Sequence, residues 1–382
     1  MADSLQPSTR EELCDIVANA AQAGSKLRVR GGGSKDDIGA PAPDVATLEM
    51  SVFNGVIDYD PPELVLTAQA ATPLAEIERL IASEGQMLAF EPFDHGPMLG
   101  NSDNTATIGG IVAAAVAGPR RLSAGGTRDH VLGFEAVSGD GELFKAGSRV
   151  VKNVTGFDLS KLIAGSWGRL VALTQVTLKV LPRPEAQQTV ALRGLSPESA
   201  IAVMAQALGS PAGVAAAAHL PQWEGQPTTL FRIEGFPNSV KDRLGTLASL
   251  IGEHGVNERL DPDVGEKLWQ DIQHAALLPP GRPLWRVVTA PGRATALLDA
   301  LDQAEWLWDW AGGLTWVSTD MDPGTLRDAV GVAKGHATLI RGDVAIRTEN
   351  ATFHPPDVAV AAMERSICRA FDPAQVFDFG RF

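Results

Sequence analysis

Apolar positions spaced three and four apart alternate along the chain with short runs of period two. Leu13, Ile16, Val17 and Ala20 fall on one helical face. Ser8-Thr9-Arg10-Glu11 before them reads as a capping box with Ser8 as N-cap, and Gly24 as the stop. Leu27-Arg28-Val29-Arg30 reads as a strand end, with further strands at 47–50 and 64–69. Leu74, Ile77, Leu80 and Ile81 mark a second helix, entered through Thr72 as N-cap and Pro73 in the first helical position. Residues 131–147 predict a hairpin turning at Asp140-Gly141, and 170–181 a long strand closed by Pro182-Arg183-Pro184. Beyond this point, helices are expected at 197–208, 239–252, 264–276, 293–302 and 324–334. Strands are expected near 189–193, 228–234, 284–289, 314–318 and 336–341, and a last helix between Pro355 and Phe371. The pattern predicts an α+β chain. A first domain spans 1–184, in subdomains of about 1–60 and 61–184. An α+β cap with two ferredoxin-like halves follows over 185–350, and residues 351–382 return to the first domain as a helix and tail.

Composition narrows the function more than the fold. No window approaches twenty unbroken apolar residues, so no transmembrane segment is expected, and the first residues lack the basic-then-apolar order of a signal peptide. The two cysteines, Cys14 and Cys368, read as buried thiols of a reducing, cytoplasmic compartment; they are too few to ligate a four-cysteine iron–sulfur cluster. The formal charge of −14 argues against nucleic acid and against an anionic membrane surface as partners.

The densest candidate chemistry is Gly31-Gly32-Gly33-Ser34-Lys35, beside Arg28 and Arg30. Consecutive glycines allow bare N–H groups to approach an anion, and Ser34 and Lys35 add a hydroxyl and a cation. A flexible surface turn is the competing reading. The order Gly-Ser-Lys with no helix start behind it is not a Walker loop, and Asp36 stands where a dinucleotide fingerprint needs its third glycine. The long irregular stretch 90–104 leads into Thr107-Ile108-Gly109-Gly110 and a run of small residues to Ala117. Such a helix suits either a flat ligand or tight helix–sheet packing. The tryptophans at 306, 308, 310 and 316 read as core, with a partner surface as the alternative. His336 has no second histidine near it in sequence, and His219, His254, His274 and His354 show no ligand spacing. No metal site is predicted, and no catalytic residue can be assigned.

Taken in order, these segments resemble the vanillyl-alcohol-oxidase, or PCMH-type, FAD-binding superfamily, and within it the FAD-binding subunits of bacterial glycolate oxidase. The resemblance is carried by the glycine loop, the Thr-Ile-Gly-Gly helix start, Gly118-Pro119-Arg120-Arg121, Arg128 to Gly133, Arg149 to Leu162 and the ending Phe371 to Phe377. It implies that Gly31, Gly32, Gly33, Ser34 and Lys35 wrap the FAD pyrophosphate. Thr107, Ile108, Gly109 and Gly110 would lie at the flavin and diphosphate side. Gly118 and Gly125 would let the backbone pass the cofactor, braced by Arg128 and Asp129. Gly156, Phe157 and Asp158 would approach FAD, and Gly168, Val171 and Leu173 would line its adenosine end.

The loop has no His or Cys for covalent attachment, so FAD is expected to be non-covalent, with His95 and His130 as the alternative attachment points. The implied activity is oxidation of glycolate or a similar small 2-hydroxy acid. The implied partners are a homologous FAD-containing catalytic subunit and an iron–sulfur subunit, through which the chain could associate peripherally with a membrane. A self-sufficient FAD oxidoreductase and a scaffold without redox-active flavin are the rival readings. Related hydroxyacid dehydrogenases carry paired histidines on the cap; the corresponding stretch here, Gly335 to Gly342, has His336 alone.

Overall fold

A computed structural model describes residues 3–148, 158–301 and 303–382. The chain divides into two compact units. The first comprises Met1–Ala117, Gly125–Arg183 and Pro355–Phe382, and the second comprises Gly118–Ala124 and Pro184–His354.

The first unit contains three sheets. Strands β1 (Ser4–Leu5), β2 (Leu27–Arg30) and β3 (Ala46–Glu49) form a parallel sheet in the order β1-β3-β2. Strands β4 (Val56–Asp60), β5 (Val65–Gln69), β7 (Val131–Ser138), β8 (Leu143–Gly147) and β9 (Val171–Lys179) form an antiparallel sheet, ordered β4-β5-β9-β7-β8. The short strands β6 (Gln86–Met87) and β10 (Leu181–Pro182) pair with each other.

The helix Arg10–Ala23 buries Leu13, Val17 and Ala20 against a core that includes Leu27, Leu48, Val137 and Ala172, and that Val376 and Phe377 of the tail complete. Its N-cap is Thr9, not Ser8: the Thr9 hydroxyl accepts from Glu12 N–H at 3.2 Å. The Glu12 carboxylate reaches back to accept from Ser8 N–H at 2.7 Å, one residue before the cap, so the expected reciprocal box is not formed. A similar shift occurs at the helix Leu74–Ser83, where Pro73 is itself the N-cap. The Thr72 hydroxyl instead donates to the Gln69 carbonyl at 2.7 Å and accepts from Gly55 N–H at 2.9 Å, tying two turns together.

The small-residue helix is also shorter than the sequence suggests, running only Ile108–Ala113. The Val112 and Ala113 carbonyls accept from Gly165 and Trp167 N–H at 3.2 and 2.8 Å, and Ala115 adopts φ 49°. The 165–167 loop thus takes the acceptors that another helical turn would have used.

The second unit is an eight-stranded antiparallel sheet built from β11 (Ala186–Arg193), β12 (Val214–Trp223), β13 (Gln226–Gly235), β14 (Asn257–Arg259), β15 (Leu284–Val288), β16 (Glu305–Asp309), β17 (Leu314–Ser318) and β18 (His336–Arg341). The order β14-β11-β13-β12-β16-β17-β15-β18 joins two ferredoxin-like halves at their second strands, through the His219–Trp308 pair. The helices Pro197–Leu208 and Pro237–Ile251 cover the first half. The helices Ala294–Leu298 and Pro323–Val332 cover the second, over Trp285, Val287 and Val317. Strands β12, β14 and β16 escape the pattern reading. β12 opens with Val-Ala-Ala-Ala-Ala, buried on both faces, and so shows no alternation. The tryptophan run resolves as core: Trp308, Trp310 and Trp316 are buried, and Trp306 is half-buried against them.

Asp372 ties the tail to the first unit. Its buried carboxylate accepts from Val376 and Phe377 N–H at 2.7 and 2.8 Å. Asp372→Ala would strand both amides in the core; a loss of about 2–4 kcal/mol, read by urea denaturation, is expected.

Candidate functional site: a glycine-walled cleft

The first unit contains a solvent-open cleft walled by its glycine loop. It begins where β2 ends. Residues 31–35 belong to neither helix nor strand, and among the described residues their five consecutive N–H groups donate to no protein acceptor. An uninterrupted row of donors on a cleft wall is a ready site for an anion.

Several contacts hold this loop open. A Cβ at Gly32 would overlap the Thr105 carbonyl oxygen, and one at Gly33 (φ 86°) would overlap the Arg30 guanidinium. Arg30 is itself fixed by Asp36 at 2.7 Å and Glu49 at 3.2 Å. From the far end of the chain, Arg381 donates through Nη2 to the carbonyls of Lys35 and Asp36 at 2.9 and 2.7 Å, and through Nε to that of Ile38 at 2.9 Å. Arg381 thus anchors the C-terminal end of the loop. Lys35 donates to the Ser34 hydroxyl at 3.3 Å. Burial lowers its pKa to about 8, and the carboxylate of Asp94 offsets only part of this. That same carboxylate orders the 94–106 stretch, accepting from the N–H groups of Gly96, Thr105 and Ala106 at 2.8, 2.7 and 2.9 Å.

Of the residues proposed from sequence, Gly31, Gly32, Gly33, Ser34 and Lys35 line this cleft. So do Thr107, Gly109 and Gly110 on one wall, and Gly168, Val171 and Leu173 on another. The helix start contributes shape more than donors. Ile108 N–H is taken by Thr72 O at 3.0 Å, Gly109 N–H by Ala70 O at 2.7 Å, and Gly110 N–H by the Thr107 hydroxyl at 3.4 Å.

Other proposed residues are placed elsewhere. Ile108 is fully buried in the core. Gly118 belongs to the second unit, where its carbonyl accepts from Trp310 Nε1 at 3.0 Å. Gly125 (φ 81°) packs on Asp129, whose carboxylate accepts from Gly126 N–H at 2.8 Å, and the Arg128 carbonyl accepts from Lys161 Nζ at 2.7 Å. Asp158 is the N-cap of the helix Leu159–Ile163. Gly156 and Phe157 lie outside the described residues. His95 stacks on Phe93, His130 tilts against Phe90, and neither lines the cleft. Phe377, Phe379, Arg381 and Phe382 do line it, and no local sequence signal marks the tail as a cleft wall.

The cleft fits a dinucleotide by its free amides, its cation and its Cβ-free walls. Gly32→Val should abolish FAD retention, measured by visible absorbance after desalting, while circular dichroism keeps the second unit's sheet signal. Binding the pyrophosphate should raise the Lys35 pKa from about 8, because an anion favours the charged amine. FAD affinity should therefore be level below pH 8 and fall as pH rises above it, by at most about tenfold per unit. Proton uptake on binding near pH 9, measured calorimetrically in two buffers, checks the sign.

Residues 4–147 match the model of a family described as an FAD binding domain. Over 374 residues the chain is 32% identical to "Glycolate oxidase subunit GlcE" of Escherichia coli (strain K12), covering 97% of this chain and 96% of that protein. It is 29% identical over 187 residues to "Glycolate oxidase subunit GlcD" of Bacillus subtilis (strain 168), covering 49% of this chain and 38% of that one. Among solved structures, p-cresol methylhydroxylase with substrate bound superposes with a TM-score of 0.72 at 13% identity, covering 99% of this chain and 88% of that one. The fold is thus the PCMH type, FAD is the cofactor, and the chain belongs to the glycolate oxidase subunit family that includes GlcE.

Proposed function

We propose that the chain is the FAD-binding subunit of a glycolate oxidase or dehydrogenase complex, oxidising glycolate or a similar 2-hydroxy acid to the 2-oxo acid. The observation that carries this reading is the row of five free amides on a cleft that fits FAD, in a chain similar along nearly its whole length to a glycolate oxidase subunit. Bound FAD supplies the hydride acceptor for a CH–OH carbon. The chain's own residues do the rest: residues 31–35 hold the pyrophosphate, Lys35 adds a cation, and Arg381 and Asp94 keep the loop in its binding shape. FAD binds non-covalently in this reading, since the cleft wall carries no His or Cys side chain among the described residues.

The partners we propose are a second, GlcD-like flavoprotein subunit and an iron–sulfur subunit that takes electrons onward. The two cysteines of this chain, both unpaired, are consistent with a cluster held elsewhere. No helix among the described residues is long and apolar enough to cross a membrane. Any contact with a membrane would then be made through the partners.

The cap histidines bear on how the acid is held. His336, alone in the sequence pattern, has His354 beside it in space, with ring centroids 5.8 Å apart and edge to face. No group of three or more His, Cys, Asp or Glu among the described residues could hold a metal ion. In this reading the pair is structural, and His336→Gln should leave glycolate-dependent dye reduction by the assembled complex within about twofold of the parent.

Purification from the native cell with an affinity-tagged copy tests the main reading. A flavin spectrum, co-purifying flavoprotein and iron–sulfur subunits, and glycolate-dependent bleaching are expected. A flavin-free chain that does not take up added FAD would overturn it.

A further inference from the structure

The second unit carries four arginines near one another in its fold, and it treats them unequally. Arg120 and Arg232 share the carboxylate of Glu234, at 2.9 and 3.0 Å. Arg286 and Arg121 make no side-chain hydrogen bond or ion pair among the described residues. Both lie over the ring of Trp310, their guanidinium carbons 5.0 and 4.6 Å from its centroid. Burial pulls the Arg286 pKa down to about 10, Arg121 presses it further, and Asp309 offsets part of this. Two like charges on one indole, with only Asp309 acting against them, are unfavourable in the isolated protein. An aromatic face recovers only part of such a cost.

Register places Arg286 on a definite face. Trp285 and Val287, its neighbours in β15, point into the core beneath the helix Pro323–Val332, so Arg286 occupies the opposite side. Its ladder partner on β17 is Trp316, and Ser318 shares that side two residues on. Trp316 Nε1 and Ser318 Oγ are both buried, at 1% and 0% exposure for their residues, and neither has a hydrogen-bond partner. This patch therefore gathers two cations, an indole N–H and a hydroxyl, with the Asp309 carboxylate as the one acid acting on Arg286. Buried donors without a partner are costly, and a ligand rich in oxygen acceptors relieves that cost. A guanidinium pairs with a carboxylate through two parallel hydrogen bonds, a geometry a neutral group cannot match.

We propose that Arg286 and Arg121, over Trp310, bind the carboxylate of a small 2-hydroxy acid, with Trp316 Nε1 and Ser318 Oγ as further donors on the same face. This rests on the hydroxy-acid reading above and goes beyond it: this chain recognises the acid itself, rather than only relaying electrons for a partner that does.

The test is binding of glycolate, and of glycolamide as its neutral analogue, to the FAD-loaded chain, followed by calorimetry and tryptophan fluorescence. Glycolate is expected to bind at least tenfold more tightly than glycolamide. Arg286→Met should erase that preference, Arg286→Lys should restore part of it, and Arg121→Gln should reduce it several-fold, all with the flavin spectrum unchanged. Arg121 is exposed, so its variant carries the comparison if Arg286→Met does not fold. Equal binding of the two analogues by the parent, or a preference intact in Arg286→Met or, where that variant is unfolded, in Arg121→Gln, would overturn the proposal. A parent that holds FAD but binds no glycolate removes this inference alone, whereas a parent that cannot take up FAD removes the functional reading beneath it.

Discussion

The structure of the first unit depends on keeping five consecutive backbone amides away from any protein acceptor. Folding normally pairs such groups, because a buried, unmade hydrogen bond costs about as much as a large fraction of a domain's net stability. Here the geometry that would pair them is blocked. The glycines pack against Thr105 and Thr107 where no Cβ fits, Arg30 is held from the side by Asp36 and Glu49, and the carbonyls of Lys35, Asp36 and Ile38 are committed to Arg381. The loop is thus held through its side chains and its C-terminal carbonyl while its amides meet no protein acceptor. In the proposed reading that preorganisation lets backbone dipoles bind an anion without an ordering cost.

Much of this unit was legible in the sequence because its signals are local. Three glycines after a strand, caps near the helix starts and a Gly at a helix end each act within a few residues of where they are read. The caps at Thr9 and Pro73 were displaced by one position because Ser8 and Thr72 are equally good caps locally, and their bonds to Glu12, Gln69 and the more distant Gly55 decide between neighbours. What stayed hidden was nonlocal. Arg381 reaches its carbonyl partners across 343 to 346 residues of sequence. Phe379 and Phe382 line the cleft without any period or motif to announce it. The truncation of the Ile108–Ala113 helix is likewise set by N–H groups of Gly165 and Trp167, far along the chain.

The second unit shows the complementary failure. Five of its helices follow period 3.6 and were legible, but the helix Val344–Glu349 and three of its strands were not. Alternation appears only where one face of a strand is wet, and β12 is covered on both. Tryptophan density in β16 marked a core without saying which element carried it. His336 and His354 meet although eighteen positions apart in the chain, counted from their numbers, because β18 and the segment after the helix Val344–Glu349 fold back together. Spacing rules for paired ligands or partners detect neighbours along one element and pass over such meetings.

Charge gives these observations a common logic. A protein with a formal charge of −14 has carboxylates in excess, and several of its inward-facing cations have found one: Arg30 with Asp36 and Glu49, Arg120 and Arg232 with Glu234, Arg169 with Asp378. Arg243 and Arg327 bond to carbonyls instead, and some cations make neither an ion pair nor a carbonyl bond among the described residues. Lys35 is one such residue and Arg286 is another, and burial lowers the pKa of both. Each stands beside backbone or side-chain donors that are also unsatisfied: the amides of the glycine loop in one unit, Trp316 Nε1 and Ser318 Oγ in the other. Anionic ligands would neutralise the cations and satisfy the donors in the same step. In an acidic protein, the cations that the fold declines to pair therefore say more about bound molecules than the many that it pairs.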